Sequence, residues 1–299
     1  MPIKPMETEL IGVQAPQAMT ELAFYSRYVK GERFVNLLLV AEPETAKTEL
    51  PAKYVGNFGI ISIRRFSHVG VLNMLEDEII KTNKPVTFVI PDLDAIYKQK
   101  QDVVERTIQF LDAITWDGLN PEATYLFDYK DLEKFRGFKA QIIAGITTFG
   151  FFTKSGSIRA NLLKGGYITR FIPFCMDYSA SQVSRILDEI FDGSHRKKYI
   201  KRIPLKFPPE KIEVYLTKPQ AEKLKDLTKD LAQKLGSRGF RLGQQLISLA
   251  KASVIRDRCL GSNRPKWVTE EDVDLIKFLS EWIGFEQKPL RDYVGWTKT

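Results

Sequence analysis

The chain has 299 residues, of which 43% are hydrophobic and 27% are charged, and its formal net charge is +8. This composition is typical of a globular protein with one large or two smaller domains. It excludes a membrane span, because no apolar run reaches the roughly 18 residues that a span requires. The N-terminus lacks the apolar core of a secretion signal, so we expect a cytoplasmic protein. Cys175, Cys259, His68 and His195 have no spacing that indicates a zinc site or a disulfide framework.

Residues 1–33 predict an N-terminal arm. They carry three prolines and little hydrophobic periodicity, with one short helix predicted around AMTELAFYSRYV. From Phe34 onward the pattern changes, so we place the start of the first domain there.

Residues 34–192 alternate between strand-like and helix-like patterns. The run FVNLLLV is continuous and apolar, as expected for a strand that is buried on both faces. Strands that alternate with helices predict an α/β fold, in which a parallel sheet is covered on both sides. The other predicted strands are YVGNFGIISIRRF, KPVTFVIPDLD, AQIIAGITTFG and TRFIPFCMDYS, and the predicted helices are VLNMLEDEIIKTN and DVVERTIQFLDAITWDG.

Residues 193–299 predict a basic linker followed by an all-helical domain. Thr269, with Glu270, Glu271 and Asp272 after it, predicts an N-cap and an acidic first helical turn. The three predicted helices are KPQAEKLKDLTKDLAQKLG, RLGQQLISLAKASVIRDRC and TEEDVDLIKFLSEWIGF.

The linker is a candidate nucleic-acid interface. The stretch HRKKYIKRIPLK has six Lys or Arg within twelve residues, with an aromatic residue among them. Such a patch can neutralise phosphates and release their counterions. The other interpretation is a solvated linker that is basic without binding DNA. The candidate residues are Arg196, Lys197, Lys198, Lys201 and Arg202.

The segment after the first predicted strand has the order of a phosphate-binding loop, G-x-x-x-x-G-K-[ST], with both glycines replaced by alanine. Such a loop binds phosphates through backbone N–H groups at a helix N-terminus, a lysine charge and a hydroxyl on Mg²⁺. Glycine supplies conformational freedom, and we expect alanine to be tolerated where φ is negative. An ordinary strand-to-helix turn is the alternative. The candidate residues are Ala41, Glu42, Pro43, Glu44, Thr45, Ala46, Lys47 and Thr48.

This loop resembles that of the minichromosome maintenance replicative helicases, AAA+ ATPases whose loop reads like G-D-P-x-x-A-K-S. The segment AEPETAKT shares the acidic residue, the proline, the alanine and the Lys-hydroxyl pair, and departs from the family at Ala41. The resemblance covers about Phe34 to Ile283, and it implies an AAA+ sheet domain with a helical lid. It does not by itself imply helicase activity.

The segment FVIPDLDAI resembles the Walker B segment of that family, which reads roughly I-D-E-F-D. In one register Pro91 replaces the Mg²⁺-associated aspartate, Asp92 replaces the catalytic glutamate, and Asp94 is the last acid. In the other register Asp92 is the Mg²⁺ residue and Leu93 stands where the base should be. Both registers imply altered hydrolytic groups, and two acids at a strand end are alternatively only solvated.

Three further segments resemble the family. IIAGITTFG stands at the sensor 1 strand, with Thr147 or Thr148 in place of asparagine. The T-R-F of GGYITRFIPF places Arg170 at the arginine finger, for which a surface ion pair is the alternative. FRLGQQLISLAKA places Arg241 at sensor 2, and VTEEDVDLIKFL resembles the closing helix of the lid.

The resemblance implies ATP and Mg²⁺ as cofactors. Lys47 would hold the β- and γ-phosphates, Thr48 and Asp92 would bind Mg²⁺, and Thr147 would position water. Arg241 would reach the γ-phosphate from the lid. Arg170 would act on the nucleotide of a neighbouring subunit, which implies a homo-oligomeric ring or spiral.

Three functional classes follow from these expectations. The first is an ATP-driven motor or remodeller on DNA, in which Trp116 and the segment YKDLEKFRGFK are candidates for channel contacts. Trp116 is alternatively a core residue. The second is a nucleotide-gated loader or adaptor that recruits a partner protein. The third is a structural ring subunit with weak or absent hydrolysis.

Overall fold

A computed structural model describes residues 10–63, 85–97, 99, 101–120, 132–149, 167–194, 202–258 and 266–290. The predicted helix VLNMLEDEIIKTN lies outside the described residues. So do Arg196, Lys197, Lys198 and Lys201, while Arg202 is described and exposed.

A six-stranded sheet forms the centre of the molecule, in the order β2-β3-β4-β1-β5-β8. All of its strand pairs are parallel, as predicted. In this order β1 lies between β4 and β5, although both of these strands come much later in the sequence. The strands are β1 (Asn36–Ala41), β2 (Ile60–Ser62), β3 (Val86–Ile90), β4 (Ala140–Thr147), β5 (Phe171–Asp177) and β8 (Lys288–Pro289).

Helices flank this sheet. Short 3-10 turns precede β4 and β5 and follow the last helix, at Leu132–Phe135, Tyr167–Arg170 and Ser280–Trp282. The helices are α1 (Gln14–Ser26), α2 (Glu49–Ala52), α3 (Asp94–Tyr97), α4 (Gln101–Thr115), α5 (Ala180–Phe191), α6 (Lys218–Lys234), α7 (Phe240–Arg258) and α8 (Glu270–Leu279).

Alternate residues of the strands face two separate hydrophobic cores, because successive side chains of a strand point to opposite faces. Leu37 and Leu39 of β1 pack in one core with α1 and the C-terminal helices. Leu38 and Val40 pack in the other core with Phe110 and other residues of α4. Both faces of the sheet are thus buried, which explains the continuous apolar run of β1.

Within the predicted N-terminal arm the structure describes residues 10–33, and most of these lie in the core. The predicted helix is present as α1, and twelve of its thirteen residues are buried. It packs against α7, and Glu21 forms a buried ion pair with Arg256, 3.3 Å apart. The sequence did not predict this burial. A helix that is buried on all sides has no polar face, so its hydrophobic residues show little helical periodicity.

The C-terminal region is not all-helical, so the prediction of an all-helical lid requires correction. Helices α6, α7 and α8 are present, and Thr269 begins α8 with a capping box to Asp272. Two short strands, β6 (Val214–Tyr215) and β7 (Lys266–Trp267), pair with each other, and β8 adds to the edge of the central sheet. Strands of two residues carry too few side chains for a detectable pattern.

Helix α5 was not predicted, although the sequence carries signals for it. Ser179 and Gln182 form a capping box at its start, the S-x-x-Q pattern of a helix N-terminus. Its apolar residues recur at helical spacing from Val183 to Phe191. No helix among the described residues is long and apolar enough to cross a membrane.

Candidate functional site

The loop Ala41–Thr48 lies at the carboxyl end of β1, in the middle of the sheet. Val40 is paired in register with Ile146 of β4 and with Cys175 of β5. In parallel α/β sheets, ligands bind in the crevice outside the carboxyl ends of the strands. The candidate phosphate loop is therefore located where this fold places ligands.

Two residues of this loop have left-handed backbone conformations. The φ angles are 66° at Glu44 and 56° at Ala46, and no other non-glycine residue in the described ranges has a positive φ. Our expectation that alanine would be tolerated through a negative φ is therefore wrong for Ala46, which adopts the conformation that favours glycine. Such a conformation costs about 1–3 kcal/mol and is found chiefly at functional sites. Left-handed residues between right-handed ones turn successive N–H groups into a concave anion site.

The Lys47 side chain folds back over the loop. Its ammonium Nζ donates a hydrogen bond to the Glu42 carbonyl oxygen at 2.9 Å, and the residue is 8% exposed. The Thr45 hydroxyl donates to the same carbonyl oxygen. Both side chains are therefore hydrogen-bonded back to the start of the loop. Burial lowers the pKa of Lys47, while Glu49, Asp94 and other nearby carboxylates act in the opposite direction. The cation is thus held partly desolvated at the centre of the loop.

Gly145 of β4 allows the loop and the end of β3 to approach each other. A Cβ atom at this position would lie 2.6 Å from the Pro91 carbonyl oxygen and 3.4 Å from the Lys47 carbonyl oxygen. Contacts under 3.0 Å to backbone atoms require the backbone to move. Only glycine permits this arrangement, and no motif in the sequence identified Gly145 as part of the site.

The acidic strand end contains one buried and one exposed carboxylate. The Thr48 hydroxyl donates to the Pro91 carbonyl oxygen at 3.3 Å, so Pro91, the residue directly after β3, lies next to Thr48. Asp92 is exposed. Asp94 is 7% exposed, and its Oδ2 accepts a hydrogen bond from the Thr147 backbone N–H at 2.9 Å.

The two candidate sensor residues have different environments. The Thr148 hydroxyl donates to the Glu42 carboxylate, which ties the end of β4 to the loop. Thr147 contacts Asp94 through its backbone, as described above. The structure therefore brings Glu42, Lys47, Asp94 and the two threonines together at one edge of the sheet.

The chemistry of these residues fits a bound ATP·Mg²⁺. The left-handed loop and the Lys47 ammonium suit a triphosphate, and Mg²⁺ requires oxygen ligands such as hydroxyls and carboxylates. Among the described residues, the Asp94 Oδ1 is buried without a hydrogen-bond partner, and an orphaned carboxylate oxygen of this kind suits a cation or water. Thr48 and Asp94, with Asp92 nearby in sequence, would hold the metal. Bound Mg²⁺ supplies charge neutralisation of the β- and γ-phosphates.

Arg170 and Arg241 lie at the amino-terminal ends of the strands, whereas the loop lies at the carboxyl ends. The Arg170 carbonyl oxygen accepts hydrogen bonds from Asn36 at the start of β1, at 3.2 Å, and from Gln245 of α7, at 3.0 Å. The Arg241 guanidinium donates to the Thr169 hydroxyl. Because β1 has six residues and a strand rises about 3.3 Å per residue, roughly 17 Å separates its two ends. Arg241 therefore does not reach a phosphate in the loop of its own chain, contrary to its expected role.

Three arginines converge on Trp116. The guanidinium carbons of Arg33, Arg241 and Arg170 lie 3.4, 4.4 and 5.9 Å from the centroid of the indole ring. Arg170 forms an ion pair with Asp112 of α4. Burial lowers the pKa of Arg241, and the charges of Arg170 and Arg33 lower it further. Trp116 is half-buried as the platform of this cluster, and the sequence identified neither Arg33 nor Asp112.

A cavity of about 920 Å³ opens around this cluster at the amino-terminal edge of the sheet. Its lining includes eight Lys or Arg side chains and only two carboxylates, from Glu32 and Glu210. Three of the cations, Lys134, Arg136 and Lys139, belong to the segment YKDLEKFRGFK. The lining cations are Arg27, Arg33, Lys134, Arg136, Lys139, Arg170, Lys211 and Arg241.

A parallel sheet flanked by helices, with this loop at the end of its central strand, fits an α/β nucleotide-binding fold. Of the solved structures, a full-length MCM homolog from Methanopyrus kandleri matches 91% of this chain and 55% of its own chain, with 12% identity and a TM-score of 0.48. The chain thus spans about half the length of that structure, and the likeness is distant and limited to the fold. No protein-family model matches the sequence, and comparison with curated proteins gives no match.

Proposed function

We propose that this chain binds ATP with Mg²⁺ at the loop 41–48 and acts as an oligomeric AAA+ ATPase on DNA. In this proposal residues 34–192 form the nucleotide-binding unit, and residues 193–299 form the basic linker and the lid. The observation that carries it is the left-handed conformation of Glu44 and Ala46 around the buried Lys47 ammonium. A strained conformation on two non-glycine residues indicates that the loop geometry itself has a function.

A calorimetric ATP titration tests the loop. Lys47→Ala removes the cation at its centre, so ATP affinity should fall at least tenfold. Lys30→Ala is the matched control, because Lys30 is exposed and precedes β1, whereas the loop follows it. Equal affinity of the two variants would refute nucleotide binding at this loop.

We further propose that Arg170 and Arg241, together with Arg33, act on the nucleotide of a neighbouring copy. Their distance from the loop of their own chain requires a head-to-tail contact that joins opposite edges of two sheets. An arginine finger contributes about 10³–10⁵ in rate, so Arg170→Ala should abolish phosphate release. Its side chain is only 10% exposed in the ion pair with Asp112, so the substitution should also lower the melting temperature, and the rate is measured at a temperature where the variant is folded.

Mixing variants tests this arrangement directly. Lys47→Ala lacks a working loop but keeps its arginines, and Arg170→Ala keeps its loop. Each variant alone should be inactive. A mixture should recover a measurable fraction of the wild-type rate, because some interfaces combine an intact loop with an intact arginine. Recovery that does not exceed the sum of the two separate rates would contradict action between chains.

A nucleotide-gated switch is the second candidate function, as a loader, an adaptor for a partner protein or a structural ring subunit. It is favoured by Pro91, which takes the place of a carboxylate beside the Thr48 hydroxyl. In this case ATP orders the assembly and is hydrolysed slowly. Tight ATP binding with phosphate release near the uncatalysed background would support the switch, and rapid turnover by the pure protein would exclude it.

DNA is proposed as a partner because of the net charge of +8 and the exposed cations Lys134, Arg136, Lys139 and Lys211 that line the amino-edge cavity. Binding through phosphates weakens steeply with salt. The slope of log K against log salt concentration is proportional to the number of phosphate contacts. Lys139→Ala and Lys211→Ala should each lower that slope by about one. DNA binding that does not depend on salt would contradict this part of the proposal, and DNA-stimulated ATP turnover would favour the motor over the switch.

A further inference from the structure

Helix α5 presents an apolar face that the fold leaves exposed. Leu187 and Phe191 are 47% and 87% exposed, and Val183 and Ile190 are also exposed. At 100° per residue, these side chains fall on one side of the helix. The only buried residue of α5 is Gln182, which lies against Gly12 at the start of the helix. Contiguous exposed apolar surface on a folded chain is typical of an interaction site.

The same chain carries an apolar groove whose lining includes no residue of α5. The groove has a volume of about 400 Å³ and runs between the α6–α7 connection and β5. Phe240, at its mouth, is 77% exposed. Phe171, Pro173, Leu242 and Phe285 form its walls. A groove lined in this way accepts a helix that inserts apolar residues at i, i+4 and i+7 spacing, as Val183, Leu187 and Ile190 are spaced.

The charges beside the two surfaces are complementary. Helix α5 and its C-cap carry Asp188, Glu189 and Asp192 against one cation, Arg185. The groove is lined by Arg238 and Arg241 and by no carboxylate. Opposite charges at the rim of a contact steer association and set its orientation. A helix with acidic residues therefore suits a groove with arginines better than a second copy of itself.

The two surfaces also lie at opposite ends of the strands of the sheet. Helix α5 begins three residues after β5 ends, at the carboxyl edge where the loop 41–48 lies. The groove shares Thr169 and Arg241 with the arginine cluster at the amino edge. A head-to-tail contact that brings the arginines of one copy to the loop of the next also brings the groove to α5.

From this geometry we infer that the apolar face of α5 docks into the groove of a second copy of this chain. The inference rests on the proposed head-to-tail assembly, and it names the surfaces that build it. The contact is heterologous, with a different surface on each copy, so its repetition produces a ring or an open helix. The loop and the arginine cluster supply the catalytic groups, while α5 and the groove supply the apolar contact area.

Cross-linking between chains that each carry one introduced cysteine tests the contact. One chain carries Leu187→Cys and the other Phe240→Cys, both with Cys259→Ser; the native Cys175 is buried. With ATP and Mg²⁺, a short bis-maleimide should join the two chains several-fold more than it joins Arg185→Cys to Phe240→Cys. Arg185 is the matched control because it is exposed on the opposite side of α5. A yield no higher than this control would overturn the inference.

Two alternative partners for the apolar face of α5 would give different results. If another segment of the same chain covers the helix, Leu187→Cys in the monomer will react slowly with a monofunctional maleimide. If α5 pairs with itself, Leu187→Cys alone will cross-link as well as the mixture does. Either outcome overturns the proposed contact. Reaction as fast as that of Arg185→Cys, with cross-linking only in the mixture, supports it.

Mass measurement separates this inference from the proposed function. Leu187→Glu should prevent ATP-dependent assembly but leave ATP affinity unchanged, while Arg185→Glu should assemble. If Leu187→Glu assembles normally and wild-type turnover still requires Arg170 of another copy, the docking surface is wrong and the proposed function stands. If the Leu187→Cys and Phe240→Cys chains cross-link but the wild type binds no ATP, the docking surface stands and the nucleotide function fails.

Discussion

The left-handed conformation of Ala46 predicts an unusual response to glycine. Replacing alanine with glycine normally costs about 0.5–1 kcal/mol, because glycine loses more conformational freedom on folding. In Ala46→Gly this cost is offset, since a left-handed backbone costs an L-residue roughly 1–2 kcal/mol that glycine does not incur. Ala46 is only 5% exposed, so the glycine variant also loses the burial of one methyl group. This loss lowers its unfolding free energy by up to about 0.8 kcal/mol. We therefore expect almost no change in unfolding free energy.

Ala52→Gly is the matched comparison. Ala52 lies in α2, six residues along the chain, and no positive φ occurs there. Glycine at this helical position should cost about 1 kcal/mol relative to alanine. Denaturant titrations of both variants should thus differ by about 1 kcal/mol, which is roughly 2 °C in melting temperature for a protein above 150 residues. Equal destabilisation by the two changes would mean that Ala46 is not left-handed and that the concave loop does not form.

Two further predictions concern the supports of the site. Gly145→Ala places a Cβ atom 2.6 Å from the Pro91 carbonyl oxygen, so it should cost about 1–3 kcal/mol of stability and also weaken ATP binding; a stable variant with wild-type affinity would show that this close approach is dispensable. Glu21→Gln removes one of the two carboxylates that pair with the buried Arg256 guanidinium, while Asp257 remains at 2.9 Å, so it should cost about 1–3 kcal/mol. Lys229→Ala, which removes an exposed pair, should leave the unfolding free energy nearly unchanged, and similar effects of these two changes would contradict the burial of Glu21.

Much of the fold follows from sequence periodicity. Strands β1 to β5 and helices α4, α6, α7 and α8 were predicted, since continuous apolar runs and helical stripes are local signals. Residues 14–26 were harder to place, because their pattern fits an arm as well as a helix that is buried on all sides. Strands β6, β7 and β8 have only two residues each, and their pairing depends on tertiary structure.

The candidate site was partly accessible to sequence reasoning. The order of residues 41–48 located the loop, but the left-handed φ of Ala46 depends on the packing of β1, β3 and β4. The positions of Arg170 and Arg241 could not be derived, because their distance from Lys47 depends on the length and direction of β1. Arg33 and Trp116 belong to no motif, and only the fold brings them together.

The central claim is that the backbone amides of the loop 41–48 bind a triphosphate. Hydrogen–deuterium exchange of the wild-type protein, with and without ATP and Mg²⁺, measures those amides directly. We predict that nucleotide slows exchange at least tenfold in the peptide covering residues 44–50, and that Lys47→Ala abolishes this protection. Exchange in this peptide that is unchanged by saturating ATP, or protection confined to other parts of the chain, would contradict the claim.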